Sequence, residues 1–124
     1  MKFLLISIIS VACLTVFSPA FADNNPVTDA ARQADNIKKG QSLASDRNRG
    51  NCLSCHMTLD AELPGNIGPP LIQMKIRYPD RNKLHAQIYD AREKNPQTVM
   101  PPYGAHGILS DEEVELVVDY VYSL

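Results

Sequence analysis

Cys52-Leu53-Ser54-Cys55-His56 is the stretch on which the fold of this chain turns. Two cysteines separated by two residues have several chemical uses. A thioredoxin-like redox pair opens a helix after a buried strand, and Ser45 to Asn51 is too polar and basic to be one. A zinc site needs two further ligands, but the third cysteine, Cys13, falls in a leader expected to be removed, and His85 and His106 lie outside the usual spacing. The histidine directly after the second cysteine points to a covalently attached haem, with Cys52 and Cys55 as thioethers and His56 carried onto the iron. Two tethers fix the macrocycle against the backbone, so His56 meets the metal with little entropy left to lose. Its other ring nitrogen is expected to donate to a backbone carbonyl, and the Gly68-Pro69-Pro70 turn is a good source of one.

On the N-terminal side, Lys2 precedes an apolar run from Phe3 to Phe17, and Ala20 and Ala22 supply the small residues of a cleavage site. This pattern predicts a signal peptide cut after Ala22. The run is shorter than the roughly 20 apolar residues that cross a bilayer, so no stable membrane insertion is expected. Lipid attachment at Cys13 is disfavoured by Ser10 and by the hydrophobic residues that follow it. Cleavage leaves 102 residues from Asp23 to Leu124, one domain, with Cys52 and Cys55 its only thiols. A core that small is commonly stapled by a disulfide, a metal or a cofactor. The remaining 11 basic and 14 acidic residues give a net charge near −3, with no block suited to nucleic acid. Arg47 with Arg49, and Lys75, Arg77, Arg81 and Lys83, form two basic groups that either ring a haem edge or are simply solvated.

Hydrophobic spacing predicts three main helices and no sheet of consequence. Asp23 to Thr28 reads as a loose leader. The first helix spans Asp29 to Ala44, and Gly40 is expected to divide it in two. Asp46 to Pro70 carries so many glycines and prolines that only a short turn at the haem motif is expected to be regular. Wrapping a cofactor explains so long a loop. A short helix is expected over Leu71 to Arg77, ended by Tyr78-Pro79. The next helix covers Asp80 to Arg92 with Asp80 as its cap and Leu84, Ile88 and Ala91 on one face. In the last helix Ser110 and Glu113 form a capping box ahead of an apolar face of Val114, Val117, Val118 and Val121.

A sixth iron ligand would come from His85, His106, Met57, Met74 or Met100, or be absent. Met57 adjoins the proximal histidine and cannot reach the opposite face, and Met74 fits a core role. Met100 is favoured, because it lies 44 residues after His56 in a loop stiffened by Pro101 and Pro102. A histidine and methionine pair raises the potential and leaves no open position for substrate, so electron transfer is expected and no catalytic residue.

The segments Gly50 to His56, Gly65 to Leu71, Tyr78 to Arg81, Asn95 to Gly104 and Ile108 to Ser110 resemble the SoxX family, the monohaem subunits of the SoxAX cytochromes of bacterial thiosulfate oxidation. The likeness runs from about Lys39 to Leu124. It implies an all-α class I cytochrome c-like domain around one haem c, with Cys52 and Cys55 as thioethers, His56 as proximal ligand, Met100 as distal ligand and the Pro69 carbonyl receiving the His56 ring N–H. The chain then divides into a signal peptide (1–22), a leader with the start of the first helix (23–38) and the cytochrome domain (39–124). The resemblance also implies a periplasmic heterodimer with a SoxA-like haem subunit that joins thiosulfate to a cysteine of the carrier SoxYZ, an L-cysteine S-thiosulfotransferase. This chain would be its non-catalytic electron-transfer subunit and pass electrons to a soluble cytochrome. Two other readings stand beside it: a free periplasmic electron carrier, and a structural or regulatory haem subunit.

Overall fold

The computed structural model describes residues 26–59, 61–63 and 65–124, so the expected signal peptide lies outside the described residues. Among these the fold is all-α, with helices α1 (Pro26–Ser45), α2 (Met74–Arg77), α3 (Arg81–Tyr89) and α4 (Asp111–Ser123). Two 3-10 turns, Cys52–Ser54 and Ala91–Glu93, complete the regular structure, and there is no strand among the described residues.

The last helix is the centre of the fold. Ser110 Oγ accepts from the Glu113 amide while the Glu113 carboxylate accepts from the Ser110 amide, closing the expected capping box. Val114, Val117, Val118 and Val121 are each at most 3% exposed, and Tyr120 joins them. Helix α3 lays Leu84 and Ile88 into the same core. Arg81 clamps the two helices, reaching Asp119 at 2.5 Å and Glu115 at 2.7 Å.

Helix α1 corrects two expectations. It begins at Pro26, inside the stretch read as leader, because a first-turn proline has φ already set and needs no amide. It also runs unbroken through Gly40 rather than in two parts. A Cβ at Gly40 would overlap the Leu116 carbonyl of α4, so this glycine is the point where two helix backbones cross closely. Asn36 secures the crossing with a 3.2 Å hydrogen bond to Asp119.

Two further helices are shorter than expected. Residues 71–73 are not helical, since the Leu71 amide donates to Met57 O and the Gln73 amide to Leu124 O, with Gln73 at φ 52°. The run from Asp80 keeps its cap, Asp80 Oδ1 accepting from the Asn82 amide at 2.9 Å, but breaks at Asp90. Asp90 is extended there and caps the 3-10 turn that buries Ala91.

Candidate cofactor site

Asn51 sits immediately before the motif in the left-handed conformation, φ 49°, which asparagine adopts more readily than most residues. Its carbonyl accepts from both the amide and the hydroxyl of Ser54, and the Cys52 carbonyl accepts from the amides of Cys55 and His56. The motif is thus wound into one tight turn with Cys52, Cys55 and His56 on the wall of a single cleft of about 470 Å³. The segment 65–71 folds back over this turn, the Gly65 amide donating to Leu53 O and the Gly68 amide to Cys55 O, both at 2.8 Å. A Cβ at Gly68 would overlap the His56 imidazole, so the ring rests directly on backbone.

His56 Nδ1 lies 2.7 Å from the Pro69 carbonyl. A carbonyl only accepts, so Nδ1 carries the proton and donates, and the lone pair is left on Nε2. This is the tautomer an imidazole needs to bind a metal through Nε2.

The same cleft receives Leu71, Met74, Leu84, Ile88, Val117 and Val121 from the core. Met100 also opens onto it, half-buried, with its amide donating to Thr98 Oγ1 at 3.1 Å. The other methionines and histidines weighed as ligands sort clearly. Met74 lines the cleft but is 2% exposed within the core, while Met57 is 39% exposed and lies off it. His85 stacks on Tyr89 and faces Glu115, and His106 meets Arg92 at 2.9 Å; neither lines the cleft.

The walls fit a haem. They are largely apolar, as a macrocycle requires, and Arg77 and Lys94 are cationic side chains on them suited to its two carboxylates. The sequence put Arg77 in a basic group that either rings a haem edge or is solvated, and gave no sign of Lys94. The basic groups are in fact partly spent within the fold: Arg49 pairs with Glu113, Arg77 reaches the Pro70 carbonyl, Arg81 clamps α4 and Lys75 lies over Tyr122.

The Cys52 thiol is not an activated nucleophile. Burial pushes Cys52 up to about 11, against a smaller opposing effect of the Tyr103 hydroxyl beside it. A redox dithiol instead works through a thiol with a depressed pKa.

At the mouth of the cleft Ile67 and Val99 stand 68% and 82% exposed. Among the described residues no helix is long and apolar enough to cross a membrane.

Comparison with known proteins agrees with a small cytochrome c-like fold. Residues 35–121 match the family described as cytochrome c oxidase, cbb3-type, subunit III. A crystal structure of SoxXA from P. pantotrophus aligns with a TM-score of 0.63 at 26% sequence identity, covering 71% of this chain and 80% of that chain. An uncharacterised lipoprotein of Aquifex aeolicus (strain VF5) is 33% identical over 75 residues, which are 60% of this chain and 36% of the lipoprotein. The chain therefore spans about a third of the curated relative it matches.

Proposed function

Because this chain belongs to the family described as cytochrome c oxidase, cbb3-type, subunit III, we propose that it is an exported monohaem electron-transfer protein, made with a signal peptide ending at Ala22. Cys52 and Cys55 hold one haem c by thioether bonds, His56 is the proximal ligand with Pro69 orienting it, and Met100 is the distal ligand. The observation that carries this reading is the single cleft onto which all four of Cys52, Cys55, His56 and Met100 open, with His56 Nδ1 already engaged by Pro69.

A haem bound there supplies reversible one-electron exchange at its iron. The chain's own residues do the rest. Pro69 holds the imidazole in the metal-binding tautomer and makes it a stronger donor. The apolar walls would exclude water, and Met100 as a second iron ligand beside His56 would favour the ferrous state and leave no open position for substrate. Arg77 and Lys94, on the cleft wall, would compensate the propionate charges.

The physiological setting we propose is a SoxAX-type complex in the periplasm. This chain is its relay, taking electrons released when a SoxA-like haem subunit couples thiosulfate to a SoxYZ cysteine and handing them to a soluble cytochrome. The likeness to SoxXA supports this. The family match to a respiratory oxidase subunit favours a second reading, a free carrier in a respiratory chain.

Purification of the native protein with haem spectra and thiosulfate-dependent reduction on the same sample distinguishes the two. The relay reading expects co-purification with a second haem subunit and reduction by thiosulfate only when that subunit is present. A monomer with no haem-bearing partner, reduced equally well by respiratory donors, would overturn it in favour of the carrier.

A further inference from the structure

The proximal arm of the cleft, residues 46–71, and the distal loop, residues 95–109, come from distant parts of the sequence. Among the described residues no backbone-to-backbone hydrogen bond joins them. One side chain does. Tyr103 is 7% exposed, and its hydroxyl donates to the Gly50 carbonyl at 2.6 Å, beside the Cys52 sulfur.

Both ends of this bond are anchored. The Gly50 amide donates to Leu43 O in α1, and a Cβ at Gly50 would press on that same carbonyl. On the other side the Tyr103 carbonyl accepts from the Leu109 amide, and the Gly104 and Ala105 amides both donate to Tyr89 O at the end of α3. Only Pro101 and Pro102 separate Tyr103 from Met100, and their fixed φ angles transmit its position with little slack.

We propose that Tyr103 is a positioning residue, a buried latch whose hydroxyl holds the distal loop against the haem-attachment segment and so keeps Met100 seated on the iron. This rests on the reading of Met100 as the distal ligand. If the hydroxyl is removed, the Gly50 carbonyl stays buried without its partner whenever the loop is closed, and is free to meet water when it opens. The open, Met100-off population rises.

Imidazole added to the ferric, haem-loaded protein reads that population, because it binds only where Met100 has left and its apparent affinity scales with the open fraction. Tyr103→Phe keeps the ring and its packing and is expected to bind imidazole about five- to tenfold more tightly than the unmodified protein. Met100→Ala sets the upper limit of affinity. Asn36→Ala, which removes the hydrogen bond to Asp119 at the crossing of α1 and α4, away from the loop, lowers the melting temperature but leaves imidazole affinity unchanged. If Tyr103→Phe matches the unmodified protein while Met100→Ala binds far more tightly, the latch is wrong and the distal ligand stands. If Met100→Ala also matches the unmodified protein, Met100 is not the ligand and both fall.

Discussion

Helix α4 and the two loops that form the cleft solve the same problem in opposite ways. The helix satisfies its backbone internally, caps itself with Ser110 and Glu113, and buries one continuous valine face. Its position follows from apolar area, which is non-directional and tolerant of small changes. The loops have little regular structure, and single contacts set their shape: His56 on Pro69, Tyr103 on Gly50, Asn51 held left-handed. A frame held by area makes the molecule fold, while arms held by individual bonds aim the ligands. Damage to the first should therefore appear as lost stability, and damage to the second as altered ligation.

The largest effect should come from forcing the frame apart. Gly40→Val puts side-chain atoms into the Leu116 carbonyl, and we expect a loss of about 3 kcal/mol in unfolding free energy by thermal or urea denaturation, with an unaltered haem spectrum in the fraction that folds. Gly68→Ala tests the other side of the comparison. Its methyl group displaces the His56 ring, so absorption and reduction potential should both shift, while the melting curve should show a loss of only about 1–2 kcal/mol. A spectrum unchanged by Gly68→Ala would erase the distinction between frame and arms.

Ser110→Ala removes the hydroxyl that caps α4 and should cost about 1 kcal/mol in stability, again without spectral change. The smallest effect concerns Asp90, at the seam between frame and loop. Its carboxylate accepts hydrogen bonds from the Arg92 guanidinium, which holds the Asp90 pKa near 2 against a usual 3.8. A depressed carboxylate stabilises the fold above its unfolded pKa and loses that contribution as pH falls through the folded value. Asp90→Asn should therefore be less stable than the unmodified protein at about pH 5 and converge with it as pH approaches 2, measured by urea unfolding across that range.

What could be read from the sequence was what depends on near neighbours. The capping box of α4, the Asp80 cap and the apolar faces of α3 and α4 all lie within a few residues of the groups that create them, and all are present. Gly40 was misread because its partner, Leu116, belongs to another helix, and local propensity knows only that glycine weakens a helix. Leu71 to Gln73 failed for the same reason, their amides being claimed by Met57 and by the C-terminal Leu124. At the site, spacing alone nominated Cys52, Cys55 and His56, and the prolines around Met100 drew attention to it. Nothing local marked Lys94 as facing the cleft or Tyr103 as bridging to Gly50. An aromatic residue directly after the Pro101-Pro102 pair was the available signal, and it is a weak one.

The central claim is that this cleft carries a covalent haem, and intact mass spectrometry of the exported protein tests it most directly. The expected mass is that of the polypeptide from Asp23 plus one haem, with Cys52 and Cys55 both resistant to alkylation after denaturation. A polypeptide of unmodified mass, purified from cells that attach haem to their other cytochromes and carrying two alkylatable thiols, would contradict it.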